Sequence, residues 1–186
     1  MSRLRAILFS LCLVTSGIGH CTSAGGWKTF KSTKYRFTVR YPASWYLFPP
    51  LDGALDILNF PPDQRVHGVI LKESGARINV GPIPSQMTME QWSKKNTEFD
   101  TQTSEREIKN FTKNPSGCTK LVEVTSLDEI GPEVYFHKTA YYCSTKNGSY
   151  RVLLSNWEGD PNQEQLQEIA LKVALSLTVR GGTPSF

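Results

Sequence analysis

Residues 35–46 read YRFTVRYPASWY, and this stretch decides the fold. Tyr35, Phe37, Val39 and Tyr41 fall on one side of an extended chain, and Arg36, Thr38 and Arg40 on the other. Such period-two alternation of aromatic and β-branched residues is a strand with one face on a core and one toward water. Pro42 has no N–H to give a ladder and disfavours helix at Tyr41, so the strand ends there. Trp45 then turns the chain back toward the core as a large apolar plug.

Proline and glycine punctuate the segments that follow. Tyr46–Phe48 is a short extended piece closed by Pro49-Pro50, and Ala54–Phe60 (ALDILNF) is a strand closed by Pro61-Pro62. Val66–Lys72 and Ala76–Ile83 are two more extended runs, separated by Glu73-Ser74-Gly75. Short strands so bounded imply a meandering, largely antiparallel sheet.

A first amphipathic helix is expected from Thr88. Thr88 is its N-cap, Gln91 closes a capping box, and Met89, Trp92 and Phe99 lie near one face. Residues 105–111 read as an edge strand. A second helix is expected with Asp160 as its cap and Pro161 at its first position. Leu166, Ile169, Ala170, Val173 and Ala174 follow at helical spacing. Ser176–Val179 returns to a sheet edge, and residues 181–186 form a loose tail.

The N-terminus is read apart from the fold. Arg3 and Arg5 precede the apolar run Ala6–Val14, and small and polar residues follow to Ala24. This is the three-part pattern of a secretory signal peptide, with cleavage expected before Gly25. The run is too short to span a bilayer. In the alternative, a lipoprotein, Cys21 carries the acyl chain, and the bulky His20 beside it argues against that reading. Residues 1–24 are thus a signal peptide and 25–180 a single domain. The expected location is secreted or periplasmic, with a membrane contact only through Cys21.

Loss of Arg3 and Arg5 lowers the net charge from +4 to +2. The remaining basic residues are interleaved with acids, and Lys94-Lys95 sits on a predicted helix face, so no nucleic-acid partner is implied. Two of the four cysteines, Cys12 and Cys21, lie in the leader. Cys118 and Cys143 remain, and an even pair in an exported chain reads as a disulfide. The strands Cys118–Thr125 and Val134–Cys143 form a hairpin about the loop Asp128–Pro132, and Asn147-Gly148 turns the second strand into Tyr150–Trp157. A loop centred near Ile130 places Cys118 opposite Cys143 and Glu123 opposite Lys138.

Together, the Y-x-F-x-V-x-Y-P-x-x-W pattern (Tyr35, Phe37, Val39, Tyr41, Pro42, Trp45), DILNFPP, RINV before a capped helix, and a last helix closing on ALSLTV resemble the PsbP-like family. The resemblance covers most of the chain beyond residue 24. It implies an α+β fold, an α/β/α sandwich whose central, mainly antiparallel sheet has helices packed on both faces. Members of that superfamily include accessory proteins of photosynthetic oxygen evolution and a nuclear Ran-binding protein, and the leader argues against the nuclear role. The resemblance transfers no site residue.

Several chemistries find no motif. There is no Gly-x-Ser-x-Gly elbow and no glycine-rich phosphate loop, and no cofactor is indicated. Beyond the leader, His67 and His137 are the histidines, too few for a zinc set, and the carboxylates Asp52, Asp56 and Glu123 cannot be paired from spacing alone. The expectation is an exported, non-enzymatic accessory or binding protein with a protein or envelope partner. Trp45, Tyr46, Phe48 and Leu51 are its candidate partner surface. The alternative is a small secreted hydrolase, or a metal-dependent protein using His67 or His137.

Overall fold

The computed structural model describes residues 26–48, 54–62, 75–83, 106–131, 134–146 and 148–180. The expected leader, Cys21, Leu51, Asp52, the Val66–Lys72 strand, His67, Lys94-Lys95, the helix from Thr88 and the 181–186 tail lie outside them.

Among the described residues the chain forms β1 (Trp27–Ser32), β2 (Phe37–Pro42), β3 (Tyr46–Phe48), β4 (Leu55–Leu58), β5 (Ala76–Ile83) and β6 (Arg106–Asn110). Then come β7 (Lys120–Gly131), β8 (Val134–Thr145), β9 (Gly148–Trp157), helix α1 (Gln163–Ser176) and β10 (Thr178–Val179). The strands make two antiparallel sheets, a small one in the order β1-β2-β10 and a large one in the order β3-β4-β5-β9-β8-β7-β6. The fold is α+β and rich in sheet.

Burial along the 35–46 stretch follows its alternation, but Tyr35 and Arg36 lie in the turn before β2, Arg36 at φ +57°. The strand runs on through Pro42, which pairs with Trp27. Tyr35, Phe37, Val39 and Tyr41 are buried, while Arg36 and Arg40 are exposed. Trp45 N–H donates to the Pro42 carbonyl at 3.0 Å, closing a turn that packs the indole against the main core. One correction concerns the company β2 keeps. It belongs to the small sheet, beside a strand, β1, that the sequence reading did not find. Ser176–Val179 likewise returns to the edge of this small sheet, through β10.

The main core lies between the two sheets and α1. Leu55, Ile57, Ile78, Val80, Leu121, Tyr141, Val152 and Leu154 face it from the large sheet, Phe37 and Val39 from the small one. Leu166, Ala170, Val173 and Ala174 close it from α1, and Ile169 is half-buried at its margin. Fully burying a side chain of this size is worth about 1.5–3 kcal/mol. The helix starts later than its sequence signature predicts. Asp160 is not the cap; its Oδ1 accepts the Asn162 N–H at 2.8 Å, and Asn162 is the N-cap, without a side-chain capping bond.

The disulfide forms as predicted, with the Cys118 and Cys143 Cα atoms 5.5 Å apart. The predicted register does not hold. Leu121, not Cys118, lies opposite Cys143, and Glu123 faces Tyr141 instead of Lys138. β7 continues through the expected loop to Gly131, and β8 starts at Val134. Cys118 precedes β7 in a turn where its N–H donates to the Pro115 carbonyl at 3.0 Å. That turn also meets the small sheet, since Val179 N–H donates to the Ser116 carbonyl at 3.2 Å. The staple therefore ties the large sheet to the segment that holds β10. At the next hairpin Gly148 pairs with Thr145 as a strand residue, where the sequence reading had it in the turn; Asn147 lies outside the described residues.

Candidate functional site

Alternation divides the predicted partner residues between two faces. On β3, Leu47 pairs with Ile57 and packs on the main core, as Trp45 does just before the strand. Tyr46 and Phe48 point the other way, opposite Leu58 and Asp56. Tyr46 is 45% exposed, while Phe48 is half-buried. The structure thus brings Tyr46 and Phe48 together at an outer edge of the large sheet and turns Trp45 inward.

Beside them, on the same face, lies a polar network that sequence reasoning missed. Asp56 on β4 accepts from Arg77 of β5 through both oxygens, from Nε at 2.8 Å and from Nη2 at 3.0 Å. Its Oδ1 also accepts from Asn79 Nδ2 at 2.7 Å, and Asn79 Oδ1 accepts from Arg151 Nη2 of β9 at 2.9 Å. Asp56 and Asn79 are buried. A buried charge is tolerable only when paired and hydrogen-bonded, and the two-point Arg–carboxylate geometry is the strong form of that pairing. Burial lowers the Arg151 pKa, and Arg77 adds to this; the nearby Tyr142 and Asp56 charges act in the other direction. Both Asp56 oxygens are engaged, so its carboxylate is a strut across three strands and not a poised base. The signal was present in the sequence. Asp56, Arg77 and Asn79 alternate along their strands with the apolar Leu55, Ile57, Ile78 and Val80.

The remaining candidates sit on the core face. Glu123 lies opposite Tyr141 and accepts its hydroxyl hydrogen bond. Burial raises the Tyr141 pKa, and the Glu123 charge and hydrogen bond raise it further. His137 lies on β8 opposite Asn156, with its Nδ1 buried and without a hydrogen-bond partner among the described residues. Burial lowers its pKa, opposed in part by the Glu158 carboxylate. No three His, Cys, Asp or Glu side chains gather as a metal set among the described residues. No helix among them is long and apolar enough to cross a membrane.

No protein-family model matches the chain, and none of the curated proteins matches its sequence. Among solved structures it is similar to cyanobacterial PsbP (CyanoP) from Synechocystis sp. PCC 6803. The two are 15% identical over 88% of this chain and 99% of that one, with a TM-score of 0.50. It is also similar to a protein from Bacteroides thetaiotaomicron VPI-5482, at 17% identity and a TM-score of 0.48 over 83% of this chain. The chain spans about half the length of that protein, 48% of it being covered. The fold is PsbP-like, as the motifs of residues 35–45 and their companions imply.

Proposed function

We propose that the protein is an exported, non-enzymatic accessory or binding protein of the cell envelope or periplasm, and that a protein partner meets it at β3 through Tyr46. The observation that carries this is a large aromatic left 45% exposed on a three-residue edge strand, backed by the rigid Asp56–Arg77–Asn79 network. Aromatic side chains on rigid supports are the usual anchors of interfaces. The disulfide favours an oxidising compartment, and the leader pattern agrees with it. The PsbP-like fold supports the accessory role by analogy of fold alone.

The sandwich belongs to the same proposal. Ile83, Val122, Val124, Ala140 and Tyr142 form a second buried cluster on the face of the large sheet away from α1. The amphipathic segment from Thr88, with Met89, Trp92 and Phe99 on one side, is its proposed cover. Trp92→Asp should then let an apolar dye bind that face, and no gain in dye binding would count against the arrangement.

A photo-crosslinker at position 46, compared with one at the exposed Thr29 of β1, tests the partner surface in the source cells. Adducts at 46 and none at 29 are expected, and equal yields at both would overturn the assignment. Mass spectrometry of the mature N-terminus separates cleavage before Gly25 from acylation of Cys21. The alternative, a metal-dependent protein using His137, looks to the core face of the sheet and not to the outer face that carries Tyr46.

A further inference from the structure

Charge counted over the whole chain hides a sharp division. All 17 acidic residues lie between Asp52 and Glu168, where they meet twelve lysines and arginines, a net charge of −5 for that stretch. The segments on either side, 25–51 and 169–186, carry seven cations and no acid. Those are the two segments that make the small sheet, β1 and β2 coming from the first and β10 from the second. Folding therefore gathers Lys28, Lys31, Lys34, Arg36, Arg40 and Arg180 on that sheet and its turns, all of them exposed.

Register sets the direction of the face. Phe37, Val39 and Tyr41 of β2 point into the core, so Thr38 and Arg40 point to solvent. Lys31 and Thr29 stand across from them on β1, and Thr178 stands opposite Thr38 on β10. Arg180 lies beside Arg36, donating its backbone N–H to the Arg36 carbonyl at 2.9 Å. None of the six cations makes an ion pair among the described residues, and Lys34 lies over the Tyr35 ring, 4.8 Å from its centre. Lysines on an edge strand guard it against pairing with other chains, which accounts for Lys28 and Lys31. It does not account for Arg40 on the central strand, nor for Arg36 and Arg180 outside the strands. Like charges gathered without acids repel one another, and a partner of opposite sign relieves that repulsion.

The partner's chemistry follows from what the face lacks. The other outward positions hold Thr29, Thr38 and Thr178. These give no aromatic ring on which a base could stack, and no apolar centre of the kind found in protein interfaces. A sheet face so composed fits a plane of negative charge. We propose that the outer face of the small sheet docks the protein on an anionic phospholipid surface. Export, as the leader pattern implies, brings the chain to the compartment that such headgroups border. The contact needs no acyl chain on Cys21. It is also independent of the partner surface, because Tyr46 lies on the outer face of the large sheet, across the core.

Co-sedimentation with vesicles tests the docking face, using the disulfide-intact chain from Gly25, which holds every described element. Vesicles of phosphatidylcholine with about 30% phosphatidylglycerol should bind it, and phosphatidylcholine alone should not. Binding should fall at least about tenfold between roughly 0.05 M and 0.5 M salt as the charges are screened. Lys31→Gln with Arg40→Gln alters exposed side chains and should weaken binding about 25-fold, at roughly fivefold per cation. Lys109→Gln with Lys146→Gln makes the same charge change at exposed positions of the large sheet and should weaken it less than about threefold. Tyr46→Ala should bind as the wild type does. No binding to the anionic vesicles, equal binding to both kinds, or equal losses from the two double variants would overturn the face. So would tighter capture of polyglutamate or of a DNA duplex at equal charge concentration, which would assign the cations to an acidic protein or to nucleic acid.

Discussion

The two ends of the β7–β8–β9 ribbon are built on opposite plans. At one end Cys143 is bonded to Cys118, and its cross-strand partner Tyr150 donates its hydroxyl to the Tyr35 carbonyl at 3.0 Å. Thr119 N–H donates to the Ser144 carbonyl there at 2.7 Å, and Val179 N–H to Ser116 at 3.2 Å. At the other end His137, Thr139, Asn156 and Asp160 each keep a buried atom without a hydrogen-bond partner among the described residues. Helix α1 joins the two. It starts just past Asp160 and, about 21 Å later, ends at Ser176, whose hydroxyl accepts the Arg40 N–H of β2 at 2.9 Å. Bonds between elements gather at the stapled end, while the far end holds polar groups whose burial opposes folding. Molecules that bind something often divide their labour in this way.

Removing the staple is the hardest test of that contrast. Cys118→Ser with Cys143→Ala should cost about 3 kcal/mol for a loop of this length, read as a fall in the urea midpoint. A loss well under 1 kcal/mol would mean that the stapled end does not dominate. Gly117→Ala comes next. Gly117 sits at φ +90°, and a Cβ there would lie 2.6 Å from the Val179 carbonyl oxygen, so both the backbone and β10 must give way. A loss on the order of 2 kcal/mol is expected, with cooperative unfolding retained.

How much of this was legible in the sequence depends on how far apart the interacting residues lie along the chain. Alternation is local, so the buried face of Tyr35–Tyr41, the strands Tyr46–Phe48 and Ala76–Ile83 and the apolar face of α1 read correctly, while the start of β2 falls two residues later than read. β1 did not, because WKTFKS spaces Trp27 and Phe30 three apart and shows no period of two. The cysteine pair was right although its register was wrong. A loop had been placed where β7 and β8 continue, with an irregularity between Glu129 and Gly131, and the Pro115–Cys118 turn still delivers the sulfur. The Asp-Pro signature put the helix start at Asp160, but that side chain makes an Asx-type turn ahead of the helix. The Asp56–Arg77–Arg151 network and the set around His137 join strands far apart in sequence. No spacing rule pairs them; only the strand order does.

A matched pair of conservative changes sharpens the contrast further. Tyr150→Phe removes one hydroxyl at the stapled end and leaves the Tyr35 carbonyl buried without its partner, so a loss of about 1–2 kcal/mol is expected. Thr139→Val removes one hydroxyl at the other end, where it has no partner among the described residues. In metal-free buffer that change should be neutral, or stabilising by up to about 1 kcal/mol. Losses of the same sign and size from both variants would dissolve the distinction between the ends.

The smallest expected effect is a dependence on pH, and it reports on the far end alone. Burial holds the His137 pKa below its ordinary value of 6.5, with the Glu158 carboxylate opposing the shift. The folded chain therefore binds this proton more weakly than the unfolded chain does. Its contribution to stability is complete above about pH 6.5 and declines as the pH falls from there through the lower, folded-state pKa. His137→Gln should flatten that part of the stability curve. Denaturant midpoints between about pH 5 and pH 8, measured in chelator, decide the matter, because imidazoles titrate there while ordinary carboxylates stay ionised. Identical slopes in His137→Gln and wild type would show that the imidazole gains its charge freely in the folded chain, and the far end would then be wetter and less constrained than its burial implies.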